Sequence, residues 1–303
     1  MLPQQRTYMS TYASRRRKYF ALSFISAFFV FWLVFLLLMS AGQTSSSPRA
    51  VGDSTSALIA YQPQEEDALT LLAFGTEHPG SVADTFLLLR FDPVRGQVVV
   101  VTFPPGTVLT HNDAAETLAD AFRFGGAAYT RSALEQTLSV PIDRHARVTL
   151  SGFVAAAAAV GTVEFELYEP LSIHIEGQPI TLNPGMHLLD GRQVAELIRY
   201  QGHSGGQAGR AKLTTRLVCA VIDQRIDVVH STLLNQIFAT VINLVDTDVT
   251  YADFERRVSG ARAMAEQGEP VTLPIILQGR FCEDDVRFYL ADTALAQIAR
   301  AFL

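Results

Sequence analysis

The fold of this chain is decided by the stretch ADTFLLLRFDPVRGQVVVVTF, residues 83–103. Its two ends are continuous runs of Leu, Val and Phe, a density typical of strands that are covered on both faces. Between them lies Asp92-Pro-Val-Arg-Gly96, whose Pro and Gly favour a tight turn. The stretch therefore predicts a β-hairpin, and the similar run at residues 68–74 predicts a neighbouring strand.

The rest of the chain alternates between strand and helix patterns. We predict further strands at residues 145–150, 162–167 and 171–175, and a strand pair at 271–277 and 286–290. Apolar residues at three- and four-residue spacing predict helices at residues 113–138, 153–160, 190–200, 210–238, 251–265 and 292–302. This alternation predicts an α/β domain with a central mixed sheet flanked by helices.

A membrane anchor is predicted ahead of this domain. Residues 19–41 carry no charged side chain, and as a helix Tyr19–Ser40 spans roughly 33 Å, enough for a bilayer core of about 30 Å. The basic cluster Arg15–Lys18 precedes it directly. By the positive-inside rule, residues 1–18 are then a cytoplasmic tail and the chain after the anchor lies outside the cell. A buried soluble helix and cleavage near Ser40–Gln43, as in a signal peptide, are the alternatives.

The outer part of the chain divides into a linker, residues 42–66, and a domain, residues 67–303. The first part of the linker is rich in Ser, which favours a flexible spacer. The whole chain has a net charge of −6, although residues 1–41 contain basic residues and no acid, so the domain is more acidic than the chain. An acidic domain repels nucleic acid, and we expect no nucleic-acid partner.

The sequence contains two cysteines, Cys219 and Cys282. Their separation does not match the spacing of a metal site. An extracellular compartment permits a disulfide between them. From the sequence, a disulfide and two unpaired buried thiols both stay open.

Several short motifs resemble, in order, those of the LytR–CpsA–Psr family of envelope proteins over roughly residues 68–303. Residues 83–93 and 98–107 are similar to the family's SDTMMVVSIDP and VTLLSIPRDT. Further motifs similar to family elements are Ala121–Gly126, Val140–Asp143, Leu150–Phe153, Val160–Val163, Leu188–Ala195, Ile198–Tyr200 and Thr247–Phe254. By these motifs the chain is identified as a member of the family.

The resemblance implies an activity on lipid-linked polymers. Enzymes of the family transfer a glycopolymer, such as teichoic acid or capsule, from a polyprenyl-pyrophosphate lipid to peptidoglycan. Their lipid tail lies in an apolar slot between sheet and helices, for which Phe153, Leu213 and Leu217 are the candidates here. Arginines and Mg²⁺ hold the pyrophosphate, as phosphoryl transfer requires. The implied partners are a polyprenyl-phosphate lipid or lipid-linked glycopolymer and peptidoglycan, at the membrane of a Gram-positive bacterium.

The candidate site residues are the charged family positions that this sequence keeps. Asp84 matches a metal-binding carboxylate of the family, and Glu77 is the nearest acid to a second one, so both are candidate Mg²⁺ ligands. Arg199 and Arg210 match phosphate-binding arginines. Among other groups, His203 lies in a glycine-rich stretch, where we expect an exposed loop histidine.

Other family positions have lost their chemistry. The residues that stand where the family has an arginine or an acid are Thr76, Val82, Pro105, Gly106, Gln201, Gln207 and Leu213. None presents the charged fork with which arginine binds phosphate, and glutamine cannot act as a general base.

Because so many charged family positions are substituted, the sequence favours a protein whose transferase activity is reduced or lost. Such a protein would bind a lipid-linked polymer or a partner protein. One alternative is a divergent Mg²⁺-dependent phosphotransferase, assisted by groups such as His203, Lys212 or Arg216. The other is a structural or regulatory envelope module.

Overall fold

The computed structural model describes residues 61–111, 114–175, 177–268, 270–282 and 286–303. Its strands are β1 Leu69–Thr76, β2 Ala83–Asp92, β3 Gln97–Phe103, β4 Val108–His111, β5 Ala114–Thr117, β6 Arg144–Thr149, β7 Val163–Leu167, β8 Leu171–Ile175, β9 Gln178–Leu182, β10 Gly185–Leu189, β11 Val245–Thr247, β12 Thr272–Ile275, β13 Gly279–Phe281 and β14 Phe288–Leu290. Its α-helices are α1 Leu118–Leu138, α2 Leu150–Val160, α3 Gly191–Arg199, α4 Gly206–Arg225, α5 Leu234–Ile242, α6 Tyr251–Ala265 and α7 Asp292–Phe302.

Six strands form the central sheet, in the order β11-β6-β1-β2-β3-β12. Strand β2 is antiparallel to both β1 and β3, whereas β6 is parallel to β1 and β12 is parallel to β3. The sheet is therefore mixed, and helices pack on both of its faces. This confirms the predicted α/β architecture.

The predicted hairpin is formed by β2 and β3. The Asp92 carboxylate closes its turn by accepting a hydrogen bond from the Arg95 amide at 3.0 Å. Gly96 has a φ of +63°, which residues with a side chain rarely adopt. The predicted hairpin and its turn are thus confirmed.

One face of the sheet packs against α1 and α7 in an aromatic core. Leu72, Phe74, Phe86 and Leu88 are fully buried there. The Phe74 ring centroid lies 5.9 Å from that of Phe86 and 5.0 Å from that of Phe122 of α1. Burial of each such side chain stabilises the fold by roughly 1.5–3 kcal/mol.

The opposite face of the sheet carries the alternate residues of the same strands. There Val98 and Val100 of β3 form a cluster with Cys219 of α4 and Met264 of α6. On its other side α4 joins α3 and the two-stranded sheets β7–β10 and β8–β9 in a further apolar core. Helix α4 is therefore apolar on two sides.

Two predicted helices differ in extent from those observed. The helix predicted at 210–238 is broken into α4 and α5 by a 3-10 turn at Ile226–His230, where β-branched residues weaken the helix. The helix predicted to begin at residue 113 begins at Leu118. Thr117 caps it by accepting a hydrogen bond from the Asp120 amide at 3.2 Å, and the preceding residues form the hairpin of β4 and β5.

The strand pair predicted near the C-terminus is also corrected. Strand β12 joins β3 in the central sheet, and β14 pairs with β13 instead. Strands β4, β5, β9, β10, β11 and β13 were not predicted. The pairing of β12 with β3 and of β10 with β7 joins segments that are not adjacent in sequence, which periodicity cannot show.

The predicted anchor and most of the predicted linker lie outside the described residues. Across the ranges that the structure describes, we find no helix both long and apolar enough to cross a membrane. Cys219 is buried and Cys282 is exposed, and both thiols are free. Burial raises the pKa of Cys219 to about 11. These two residues therefore form no disulfide.

Candidate functional site

A crevice opens between the central sheet and helices α2, α3 and α4. It encloses a cavity of about 120 Å³. Small residues create the space: Ala73 and Gly75 of β1 and Ala195 of α3 line it. A side chain is excluded at Gly75 because its Cβ would lie 2.8 Å from the Cβ of Thr85. The structure thus contains an apolar space where the family resemblance implies a lipid slot.

An ion pair bridges the mouth of this crevice. Glu77 directly follows β1, and Arg199 is the last residue of α3. Arg199 Nη2 donates to both carboxylate oxygens of Glu77 at 2.8 and 2.9 Å, and Nη1 donates to both oxygens of Glu196 at 3.1 Å. Burial acts to lower the pKa of Arg199, but the two carboxylates outweigh it and raise the pKa. The guanidinium is therefore a fixed cation held between two acids.

A second ion pair joins Asp84 and Arg210. Arg210 Nη2 donates to the backbone carbonyl of Asp84, and Nη1 lies 3.5 Å from its carboxylate. The side chain of Arg210 is 7% exposed, whereas that of Asp84 is 49% exposed. Arg210 is thus buried against its partner, and Asp84 keeps about half of its side-chain surface open to solvent.

The four predicted charged residues come together at this mouth. Glu77, Asp84 and Arg199 line the crevice, and Arg210 lines a narrow side pocket that Asp84 shares. Each arginine is paired with one of the two acids. Glu196 was not among the predicted residues. Its position three residues before Arg199 on the same helix is the signal that indicates this contact.

The two candidate Mg²⁺ ligands differ in their fit to the ion. Mg²⁺ usually keeps several waters and binds one or two carboxylates together with phosphate oxygens. Asp84 fits this pattern because its carboxylate is half exposed. Glu77 does not fit, because both of its oxygens are bound by Arg199. Among the described residues, no group of three or more His, Cys, Asp and Glu side chains could hold a metal ion. An ion here would therefore depend on Asp84 and on oxygens of the ligand.

Of the three candidate slot residues, Phe153 lines the crevice and the other two do not. Leu213 and Leu217 are buried in the core that α4 shares with α3 and the two-stranded sheets. Thr214 and Val218, the next residues along α4, line the crevice instead. The prediction for Leu213 and Leu217 is corrected because α4 is apolar on two sides, so its pattern does not show which side faces the crevice.

His203 is buried, contrary to the expectation of an exposed loop residue. Its side chain is 1% exposed, and its ring lies edge-on to that of Tyr200 with centroids 5.0 Å apart. Gly205 and Gly206, both with positive φ, turn the chain sharply into α4 so that His203 folds inward. Desolvation lowers the pKa of His203, although the carboxylate of Glu169 opposes this effect.

The other two groups considered as assistants do not line the crevice. The guanidinium of Arg216 lies over the rings of Phe165 and Tyr168, at 5.0 and 4.1 Å from their centroids. Lys212 is exposed on α4. These contacts give Arg216 a packing role on β7 rather than a place at the mouth.

The corner Pro104–Thr107 stands where the family has PRDT. The Gly106 amide donates to Gln207 Oε1 at 3.4 Å, and the Gly106 carbonyl accepts from the Phe288 amide at 2.8 Å. A Cβ added to Gly106 would lie 1.7 Å from the backbone oxygen of Val286. The position at which the family has an acid therefore has no room for a side chain in this structure.

Comparison with known proteins agrees with the resemblance. Residues 34–298 match the LytR_cpsA_psr family. The polyisoprenyl-teichoic acid–peptidoglycan teichoic acid transferase TagU of Oceanobacillus iheyensis is 25% identical over 197 residues, 61% of this chain and 60% of that protein. TagU of Halalkalibacterium halodurans is 24% identical over 225 residues, 71% of this chain and 72% of that protein. This chain thus spans about three fifths of the length of the Oceanobacillus relative.

Solved structures share the fold at low sequence identity. TagV of B. subtilis has a TM-score of 0.65 and 17% identity, over 79% of this chain and 97% of that chain. A structure of TagT bound to LI-WTA has a TM-score of 0.61 and 16% identity, over 82% of this chain and 95% of that chain. At these identities the likeness concerns the fold alone.

Proposed function

The chain belongs to the LytR–CpsA–Psr family, and from that premise we propose that its crevice binds the polyprenyl chain of a lipid-linked glycopolymer, with reduced or lost transfer to peptidoglycan. The family relatives named for teichoic acid transfer support the class of ligand. The predicted anchor would hold the domain at the outer face of the membrane, where such lipids and peptidoglycan meet. The protein would then act in cell-wall biogenesis as a binding protein.

The observation that carries this proposal is the apolar crevice with two ion pairs at its mouth. Its wall is built from Ala, Leu, Val and Phe side chains, with Glu77, Asp84 and Arg199 among the lining residues. Each methylene of an isoprenoid that leaves water for such a wall contributes about 0.8 kcal/mol. An apolar space with charges at its mouth suits an apolar chain that carries a polar head.

The charge balance at the mouth argues against efficient transfer. Arg199 contacts two carboxylates, and Arg210 contacts Asp84, so three acids face two arginines. Phosphoryl transfer depends on neutralising the charge of the phosphate oxygens. Loss of a single electrostatic donor typically costs about 3–4 kcal/mol of transition-state stabilisation, and several are missing here.

A divergent enzyme is the second candidate, and the open carboxylate of Asp84 favours it. Asp84 would hold Mg²⁺ together with phosphate oxygens, and the ion would supply the missing neutralisation of charge. Arg210, which donates to the Asp84 carbonyl, would keep the start of β2 in place.

Purification of the full chain in detergent tests the proposal. We expect mass spectrometry to detect a co-purified polyprenyl lipid. We also expect no transfer of a labelled polyprenyl-pyrophosphate glycan to peptidoglycan when Mg²⁺ is added. Asp84→Ala is the test variant, and Asp246→Ala, an exposed acid on β11, is its matched control.

Each outcome separates the candidates. Turnover that Asp84→Ala abolishes and Asp246→Ala preserves would overturn the loss of transfer and establish the divergent enzyme. A protein that carries no lipid and takes none up would overturn the proposal and leave the structural or regulatory module.

A further inference from the structure

The contacts of Glu77 suggest a role that is neither metal binding nor packing. Glu77 and Arg199 are 122 positions apart in sequence and approach the mouth from different elements, the end of β1 and the end of α3. Both of them line the crevice. Their ion pair therefore crosses the entrance that the polar head of a bound lipid would occupy.

We propose that Glu77 competes with the anionic head of the lipid for Arg199, so that Glu77 sets the preference of the crevice between phosphorylated and neutral isoprenoids. This inference rests on the proposed function, because it concerns the head of a lipid held in the same crevice. In the ion pair, the two Glu77 oxygens take the positions on Nη2 that phosphate oxygens would take.

The two acids on Arg199 have different roles in this arrangement. Glu196 lies on the same helix, three residues before Arg199, and its side chain is 20% exposed. It binds Nη1 of the guanidinium and leaves Nη2, to which Glu77 is bound, to the mouth. Glu77 reaches across from another element, and its side chain is 54% exposed. Glu77 is therefore the partner that an incoming phosphate can displace.

Exposure of the ion pair makes the exchange feasible. Arg199 is 35% exposed, so its interaction with Glu77 is partly screened by water and modest in strength. A phosphate that displaces Glu77 leaves the carboxylate beside it, however, and two like charges at this distance repel. Glu77 thus weakens the binding of a phosphorylated lipid to the crevice and leaves the binding of a neutral alcohol unchanged.

The test compares two probes that differ only in the head. We would measure the dissociation constants of geranylgeranyl phosphate and geranylgeraniol for the full chain in detergent, with Mg²⁺ and with a chelator. The variant is Glu77→Gln, which keeps the shape and removes the charge. The matched control is Glu66→Gln, an exposed acid at the other end of β1, which makes the same change in net charge.

We expect Glu77→Gln to tighten binding of the phosphate probe about fivefold, the effect of about 0.8–1 kcal/mol, and to leave the alcohol unchanged. Glu66→Gln should change neither. Unchanged or weaker phosphate binding by Glu77→Gln would overturn the competition, and weakening confined to the samples with Mg²⁺ would identify Glu77 as a metal ligand instead. Failure of both probes to bind any variant would overturn the proposed lipid site itself, and the competition with it.

Discussion

The two faces of the central sheet are built from alternate residues of the same strands, yet at β1 and β2 one face is solid, packed in the aromatic core, and the other is hollow, bordering the crevice. Strand β1 sends Leu72 and Phe74 to the aromatic core and Ala73 and Gly75 to the crevice. Both sets are apolar. Along β1, the size of the side chains rather than their hydrophobicity therefore distinguishes the core face from the crevice face.

The largest expected effect comes from truncation on the solid face. Phe86→Ala should lower the free energy of unfolding by roughly 3–5 kcal/mol, because it leaves a cavity in a closely packed core. Leu87→Ala, one residue along β2, should cost less than half as much, because Leu87 already borders the crevice. Chemical denaturation of the full chain followed by circular dichroism measures both. Equal losses would show that the two faces are packed alike.

Enlarging a residue should also destabilise the solid face more than the hollow one. Ala133→Leu inserts bulk into the solid core between α1 and the sheet and should cost about 1–3 kcal/mol. Ala73→Leu should fill empty space, change the free energy of unfolding by less than about 1 kcal/mol and weaken geranylgeraniol binding about tenfold. Denaturation and lipid titration on the two variants make the comparison. Strong binding retained by Ala73→Leu would remove the crevice as the lipid site.

The smallest effect is expected from a change of pH, which acts on stability through His203, between α3 and α4. Desolvation places the pKa of His203 in the folded state below its ordinary value of 6.5, so the folded protein binds fewer protons than the unfolded chain just below that pH. Stability should therefore be full above about pH 6.5 and decline as the pH falls towards the pKa of the folded state. The facing charges are Glu169, which raises the pKa, and Arg210, which lowers it.

Unfolding free energies at pH 7.5 and pH 5.5 for the parent chain and for His203→Gln test this dependence. The variant should lose less stability between the two values than the parent does, by under about 1 kcal/mol. An identical decline in both proteins would assign the pH dependence to other groups.

The sequence was sufficient for the elements whose patterns are local. The hairpin of β2 and β3 follows from two apolar runs and the Asp92–Gly96 turn, and α7 from regular apolar spacing. Pairing between distant strands could not be derived this way. Strand β12 lies at the edge of the sheet beside β3, and no local feature of residues 272–275 indicates that partner.

The candidate site was predictable residue by residue but not in its pairing. The motifs match Asp84, Arg199 and Arg210 to charged positions of the family, and the structure brings the three residues to the mouth of the crevice. That Glu77 pairs with Arg199 depends on the approach of two elements far apart in sequence, which no spacing rule encodes. The burial of His203 likewise depends on how two glycines turn the chain.

The backbone contact at Gly106 limits the routes by which this chain could change its chemistry. Restoring a carboxylate at residue 106 would drive its Cβ into the carbonyl of Val286, so the C-terminal hairpin would have to move first. That hairpin is tied to the same corner through the amide of Phe288. A substitution at residue 106 alone is therefore expected to disturb the contact between this corner and the C-terminal hairpin before it can supply a carboxylate.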